Sequence, residues 1–211
     1  MKQHKSLKNT LMNILFYGIT VLLVLYIGLS VISPDKVIDV FRFQFSSVPT
    51  DSMIPTIEPN DLIVEVKVNP DKVEVGDIII FENYLPADSN GDGISDTYAL
   101  AQVVHRVVRI EEVDGVDHYI TKGDNPNNSE DVIYESLADA ENHIAGAVVK
   151  DDIIAKYAFR IPFVGAIPLY FSQHVDPVFL TLVIVNIVII VLLIKVLRKK
   201  PEEQEEKHDL E

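Results

Sequence analysis

Two long apolar segments near the chain ends dominate the hydrophobic pattern. Leu11–Ile32 contains no charged side chain and is rich in Leu, Ile, Val and Tyr. As a helix these 22 residues would extend about 33 Å, enough to cross a hydrocarbon core of about 30 Å. The second segment, Pro177–Ile194, is at the short end for a crossing, but the two apolar residues after Lys195 can extend it. The pattern predicts transmembrane helices over 11–32 and 177–197.

A cleavable signal peptide is the alternative for the first segment, because a basic start precedes an apolar run. The apolar core of such a peptide would be shorter than this one, and Ser33-Pro34-Asp35 is a poor cleavage sequence. We therefore expect a retained anchor.

Positive charges flank both apolar segments on the sides toward the chain ends. They are Lys2, Lys5, Lys8, Lys195, Arg198, Lys199 and Lys200. Because positively charged flanks stay in the cytoplasm, residues 1–10 and 198–211 are predicted to be cytoplasmic tails. Residues 33–176 would then form a domain on the extracytoplasmic side of the cell membrane.

Between the two segments, short β-branched runs alternate with turn residues. Only Tyr134–Asn142 has a helical pattern. The predicted strands are Val37–Phe45, Leu62–Val68, Asp77–Phe81, Val103–Ile110, His118–Thr121 and Ala145–Val149. The fold class predicted for 33–176 is mainly β, with antiparallel strands.

The segment Phe159–Phe171 is too interrupted by proline to cross a membrane and too apolar for an ordinary loop. It could pack in the core beside the second anchor. It could also lie against the bilayer, since aromatic side chains favour the membrane interface. The sequence leaves both interpretations open.

Composition excludes several kinds of site and partner. The chain has no cysteine, which excludes a disulfide framework, a thiolate zinc site and cysteine protease chemistry. Its formal net charge of −14 argues against a nucleic-acid partner, which would need a basic face.

Ser52 lies between Pro49 and Pro55 in a short polar stretch after the first anchor. Each proline fixes its own φ and biases the preceding residue toward extended backbone. A serine held in this way suits a nucleophile, which needs fixed geometry. A connector between membrane and domain has the same composition, so this stretch alone does not distinguish a nucleophile from a connector.

Two further elements could complete a serine-based site. His105 lies in a strand-like run, where it would be rigidly placed, although a lone strand histidine is also a common structural residue. Asp124 and Asp131 follow in a polar turn and could orient a base, or belong to a solvated loop.

In chain order these elements resemble signal peptidase I, a membrane-bound serine endopeptidase of the secretory pathway. Ser52–Thr56 is similar to the nucleophile box of that family, and Asn60–Val64 to the strand after it. Val75–Phe81 is similar to the next box, and His105–Val107 and Gly123–Asn125 to the last two. The resemblance extends from about residue 11 to residue 171.

The histidine resembles the archaeal, endoplasmic-reticulum and sporulation-type branch, since the bacterial form has lysine there. The resemblance implies Ser52 as nucleophile, His105 as general base and an aspartate that orients the histidine. It also implies an oxyanion hole formed by Thr50 and the N–H of Ser52.

The identity of the orienting acid is left open by the resemblance. Asp124 matches the first aspartate of the family. The second usually follows six residues later, where this chain has Glu130, with Asp131 next. Asp124 and Asp131 are therefore the expected acids, with Glu130 as the alternative.

One further motif lies outside these boxes, at residues 88–96. Oxygen-bearing side chains alternate there as in an EF-hand-like calcium loop, but the twelfth position is Ala99 instead of glutamate. The candidate ligands of a structural calcium ion are Asp88, Asn90, Asp92 and Asp96. A polar hairpin tip between two strands is the alternative.

The implied function is cleavage of N-terminal signal peptides from secretory preproteins at the outer membrane face, with no cofactor required for catalysis. The expected partners are those preproteins, membrane lipids and the translocation machinery. Two other functions fit the sequence: a narrow-range processing peptidase for a few exported proteins, and an inactive, anchored β binding module.

Overall fold

The structure is a computed structural model that describes residues 2–88, 95–143, 145–174, 182–192 and 194–195. Of residues 2–9 and 172–174 it describes the backbone alone. The chain divides into two units, one of Met1–Val37 with Phe171–Glu211 and one of Ile38–Tyr170. The first unit is built from helices and the second mainly from strands.

Helix α1, Lys2–Ile32, carries the first predicted span. Its section Thr10–Ile32, 23 residues of mean hydropathy 2.4, is long and apolar enough to cross a membrane. Within the second predicted span the structure describes a shorter apolar helix, Leu182–Leu192, here α5. Residues 177–181 and 193 of that span lie outside the described residues, as do 196 and 197. A second transmembrane helix over 177–197 therefore stays a prediction.

The second unit is organised by one antiparallel sheet of six strands in the order β1-β2-β6-β3-β4-β5. The strands are β1 Phe43–Ser47, β2 Leu62–Val66, β3 Ile78–Ala87, β4 Thr97–Val113, β5 Val116–Lys122 and β6 Ile153–Ile161. The short helices are α2 Val37–Phe41, α3 Leu137–Asn142 and α4 Ala166–His174. The prediction of an antiparallel β domain is confirmed, and α3 lies within the segment that has the helical pattern.

Burial explains why the central strands form where they do. Ile78–Phe81 on β3 is buried at every position, because β3 lies between β6 and β4 in the sheet. A strand covered on both faces reads as a continuous apolar run. A separate apolar cluster lies at the β1–β2 end, made of Val48, Met53, Ile57, Ile63 and Ile78.

Two predicted strands are wrong. Val37–Phe45 was expected to be extended, but Val37–Phe41 is helix α2 and the strand begins at Phe43. Arg42 separates them with a left-handed φ of 67°, a conformation that ends a helix. The predicted strand Ala145–Val149 forms isolated bridges at Gly146 and Val148 instead.

Strand β6 was not predicted at all. It occupies the centre of the sheet, between β2 and β3. The proline-interrupted segment Phe159–Phe171 begins within β6, and its exposed apolar side chains include Phe159 at 53%, Phe163 at 73% and Ile167 at 60%. These three residues therefore do not pack in a core. A surface that lies against the bilayer stays a prediction for this segment.

Candidate active site

A cavity of about 400 Å³ is lined by Ser52, His105 and Asp131 together, with Thr50 also in its wall. The rest of the wall is mainly apolar and includes Val48, Met53, Ile57, Ile63, Leu85, Val103 and Val104. An apolar cavity of this size with a few convergent polar groups is the usual form of a ligand site. The fold thus brings together Ser52 and Asp131, which are 79 positions apart in the sequence.

Ser52 belongs to the segment that joins β1 to β2. Val48 and Met53, on either side of it, are buried in the apolar cluster beneath the segment. The Val48 N–H donates to the carbonyl of Asp61 at 3.0 Å, which closes the segment. The serine hydroxyl lies 3.4 Å from that of Thr50. Apolar packing on both sides therefore holds the serine in place.

Asp61 anchors the far end of the same segment. Its carboxylate accepts hydrogen bonds from the backbone N–H of Glu58 at 3.0 Å and of Phe163 at 3.2 Å, and from Arg160 at 2.7 Å. Burial raises the pKa of Asp61, but these hydrogen bonds outweigh burial and hold its pKa below the ordinary value. The charge of Asp61 therefore stabilises the loop behind the serine.

His105 is held by the middle of β4, in register with Ile79 of β3. Its Nδ1 lies 2.7 Å from Oδ2 of Asp131. The Thr121 hydroxyl donates to the same oxygen at 2.7 Å, and the Asp131 N–H donates to the Thr121 carbonyl at 2.9 Å. Since a carboxylate can only accept, the proton lies on Nδ1 and leaves Nε2 free to accept another.

The three acids that the sequence left open have different partners. Asp131 contacts His105. Asp124 instead accepts hydrogen bonds from Arg106, at 2.7 Å from Nε and 2.6 Å from a terminal nitrogen, and from the Thr56 hydroxyl. The Arg106 guanidinium holds the pKa of Asp124 below its ordinary value.

Glu130 has a different partner from the two aspartates. It forms an ion pair with Arg109. The carboxylate in contact with the histidine is therefore that of Asp131.

The loop after β5 packs closely on the main chain of Ser52. A methyl group at Gly123 would lie 2.4 Å from the Ser52 carbonyl oxygen and 3.1 Å from Nε2 of His105. The same carbonyl oxygen accepts hydrogen bonds from the Asn125 N–H and from the Asn128 side chain, both at 2.9 Å. The absence of a side chain at Gly123 thus lets serine, histidine and loop approach one another.

Arg106, Thr121 and Asn128 were not predicted as parts of the site. A signal for Arg106 exists in the sequence, because adjacent strand residues point to opposite faces. The side chain of Arg106 therefore lies on the face of β4 opposite to His105, where its charge needs a partner. Nothing in the sequence pattern distinguishes Thr121 and Asn128 from other polar residues.

Two of the candidate calcium ligands, Asp88 and Asp96, lie next to the paired ends of β3 and β4, Ala87 and Thr97. Asn90 and Asp92 lie outside the described residues. Asp88 and Asp96 are described, and the Asp96 N–H donates to the Ala87 carbonyl at 3.0 Å. The calcium site therefore stays a prediction.

Comparison with known proteins gives two kinds of match. Residues 16–108 match the family model described as signal peptidase, peptidase S26. The signal peptidase complex catalytic subunit sec11 of Schizosaccharomyces pombe is 30% identical over 133 residues, covering 59% of this chain and 65% of that protein. Both comparisons therefore find a similarity to signal peptidases, in agreement with the resemblance seen in the sequence motifs.

A second similar protein is the signal peptidase complex catalytic subunit SEC11 of Colletotrichum graminicola. It is 29% identical over 150 residues, covering 70% of this chain and 71% of the relative. The chain spans slightly less than two thirds of the length of the Schizosaccharomyces protein. The family match includes Ser52 and His105 and ends before the loop that carries both aspartates.

Proposed function

We propose that this chain is a member of the signal peptidase family, a membrane-anchored serine endopeptidase that removes N-terminal signal peptides from secretory preproteins. The observation that carries the proposal is the hydrogen bond of His105 to Asp131 in a cavity that also contains Ser52. A nucleophile, a base and an acid that orients the base are the minimum for acyl transfer by serine.

The first half of the reaction would start from the tautomer of His105 that its hydrogen bond to Asp131 favours. Nε2 of His105 takes the proton of the Ser52 hydroxyl while its oxygen attacks the carbonyl carbon of the scissile peptide. Asp131 stabilises the imidazolium that forms and keeps the ring oriented. The same proton then passes from Nε2 to the leaving amine, which releases the mature protein.

Water completes the cycle. His105 removes a proton from the water, the hydroxide oxygen attacks the acyl carbon, and the proton returns to the Ser52 oxygen as the signal peptide leaves. In both halves negative charge develops on the substrate oxygen. The N–H of Ser52 and the hydroxyl of Thr50, 3.4 Å from the serine oxygen, are the proposed donors to that oxygen.

Asp124 has a different role in this proposal. Its ion pair with Arg106 and its hydrogen bond from Thr56 join the loop after β5 to β4 and to the serine segment. Asp124 is therefore a positioning residue, while Asp131 is the acid that acts directly on His105.

Membrane anchoring fits the substrate. A signal peptide is itself an apolar segment held in the bilayer, so an anchored enzyme meets its cleavage site at a fixed depth. The apolar section Thr10–Ile32 of α1 supports this part of the proposal. The cleavage would take place at the outer face of the membrane.

The test is cleavage of a model preprotein by the purified full chain in detergent. Ser52→Ala and His105→Ala should each lower kcat by several orders of magnitude, as when one member of a serine–histidine pair is removed, with the thermal unfolding temperature retained. His118→Ala is the matched control, because this histidine lies on β5 and does not line the cavity. Cleavage by either active-site variant at the wild-type rate would refute the proposal.

A further inference from the structure

The peptide bond before the serine nucleophile is held by the loop after β5. The side-chain Nδ2 of Asn125 donates to the carbonyl oxygen of Asp51 at 3.1 Å. The Ile54 N–H donates to the same oxygen at 3.2 Å from within the turn. The hydrogen bond from Asn125 thus joins this peptide bond to the loop after β5.

The orientation of the Asn125 amide follows from its second hydrogen bond. Its Oδ1 accepts the backbone N–H of Asn127 at 3.1 Å. An amide oxygen can accept but cannot donate. With Oδ1 bound to an N–H, the NH₂ group is the end that faces the Asp51 carbonyl.

A fixed Asp51 carbonyl also fixes the N–H of Ser52. The two groups belong to one planar peptide unit. Among the described residues the cis peptide bond is that between Ile54 and Pro55, so the unit between Asp51 and Ser52 is trans. In a trans unit the C=O and the N–H point in opposite directions. Holding the carbonyl toward Asn125 therefore turns the Ser52 N–H away from the loop.

That N–H is the proposed backbone donor of the oxyanion hole. We propose that Asn125 is a positioning residue that orients the Ser52 N–H for the tetrahedral intermediate, through its hydrogen bond to the Asp51 carbonyl. This inference rests on the proposed function. It adds a link between the two halves of the site, because the loop that carries Asn125 also carries Asp131, the partner of His105.

The expected effect is on the transition state and not on substrate binding. Asn125 bonds to the protein main chain, so its loss removes no proposed contact with the ground-state substrate. Loss of a whole oxyanion donor costs about 100- to 1,000-fold in kcat. A donor that is present but less well oriented should cost less, on the order of tenfold.

The experiment compares Asn125→Ala with Asn127→Ala, a neighbour in the same loop whose backbone N–H is kept. For each purified full chain, kcat and KM are measured with the model preprotein. Inhibition constants are measured for a signal-peptide-derived boronic acid, which forms a tetrahedral adduct with the serine. The corresponding peptide carboxamide, which does not react, reports ground-state binding.

We expect Asn125→Ala to lower kcat about tenfold and to weaken the boronic acid by the same factor, with KM and carboxamide inhibition unchanged. Asn127→Ala should match the wild type in all four measurements. A second variant, Asn125→Asp, keeps the acceptor for the Asn127 N–H but lacks the donor, so it should show the same selective loss.

Three outcomes would overturn the inference. These are wild-type kcat in Asn125→Ala, wild-type kcat in Asn125→Asp, or equal weakening of the boronic acid and the carboxamide. A wild-type chain that does not cleave the preprotein would instead refute the proposed function, and the inference with it.

Discussion

At the scale of single residues, each acid near the proposed base has its own counter-group. Asp131 has His105, Asp124 has Arg106 and Glu130 has Arg109. Side-chain exposure is 16% for Asp131 and 15% for Asp124 but 45% for Glu130, and of the two shielded acids it is Asp131 that contacts His105. A carboxylate shielded from water interacts more strongly with its partner. Asp131 is therefore the acid whose removal should matter most for proton transfer.

Asp131→Asn should lower kcat by about two to four orders of magnitude, since an amide can present its NH₂ to Nδ1 and favour the wrong tautomer of His105. The measurement is kcat on the model preprotein. Glu130→Gln is the matched control and should stay within about twofold of the wild type, because surface ion pairs contribute little. An equal loss in both variants would contradict Asp131 as the orienting acid.

A second residue-scale feature is Glu65, which is fully buried on β2 beside the cavity. Gln44 donates a hydrogen bond to its Oε2, while Oε1 has no partner among the described residues. Burial raises the pKa of Glu65, an effect that hydrogen bonds from Gln44 and Ser46 offset only in part. The folded state therefore favours the protonated form of Glu65 more than the unfolded state does.

Glu65 should make stability depend on pH in a defined direction. Its stabilising contribution is full below the unfolded pKa of about 4.5 and is lost as pH rises through the higher pKa of the folded state. Glu65→Gln cannot ionise, so its free energy of unfolding should exceed that of the wild type at neutral pH, by about 1–3 kcal/mol. The excess should shrink toward acid.

Denaturant unfolding of both proteins in detergent at several pH values measures this difference. Glu82→Gln is the control, because Glu82 is an exposed glutamate on another strand of the same sheet, β3. A stability difference between the wild type and Glu65→Gln that does not vary with pH would contradict the assignment.

At the scale of elements, the strands that sequence reasoning found are those with local signals. Leu62–Val66 and the buried run Ile78–Phe81 are rich in β-branched and other apolar residues and each follows a turn, so this local pattern was enough to predict both strands. Strand β6 contains alanines at 155 and 158 and lacks a clean alternation. Its place in the sheet depends on pairing with β2 and β3, which are distant in the sequence.

The same limit applies to the active-site loop. Sequence spacing gave two aspartates and a glutamate within eight positions, and spacing alone could not choose among them. The contact of Asp131 with His105 depends on the backbone hydrogen bond from Asp131 to Thr121, which sets the register of the loop against β5. Ser52 and His105 could be proposed as nucleophile and base because the motifs around them, taken together in chain order, resemble those of one family. That the two residues line the same cavity depends on tertiary contacts.

At the scale of the whole molecule, the directions of α1 and α5 in the helical unit are relevant to the membrane topology. The ammonium nitrogen of Lys195 lies 3.2 Å from the centre of the Phe16 ring. The region just after α5 therefore lies beside the N-terminal part of α1. Further along, Ile27 of α1 and Ile184 near the start of α5 line one common cavity of about 260 Å³. The two helices thus run in opposite directions within this unit.

This arrangement and the basic residues at both chain ends lead to the same expectation for orientation, with both tails cytoplasmic and the β domain outside. The natural chain has no cysteine, so a single introduced thiol reports its own location without background. Ser6→Cys and Gln204→Cys in sealed right-side-out vesicles should react with a membrane-impermeant maleimide only after detergent is added. Glu112→Cys, at an exposed position of β4, should react without detergent. If one tail were labelled from outside and the other were protected, the chain would cross the membrane an odd number of times, and the second predicted span over 177–197 would be wrong.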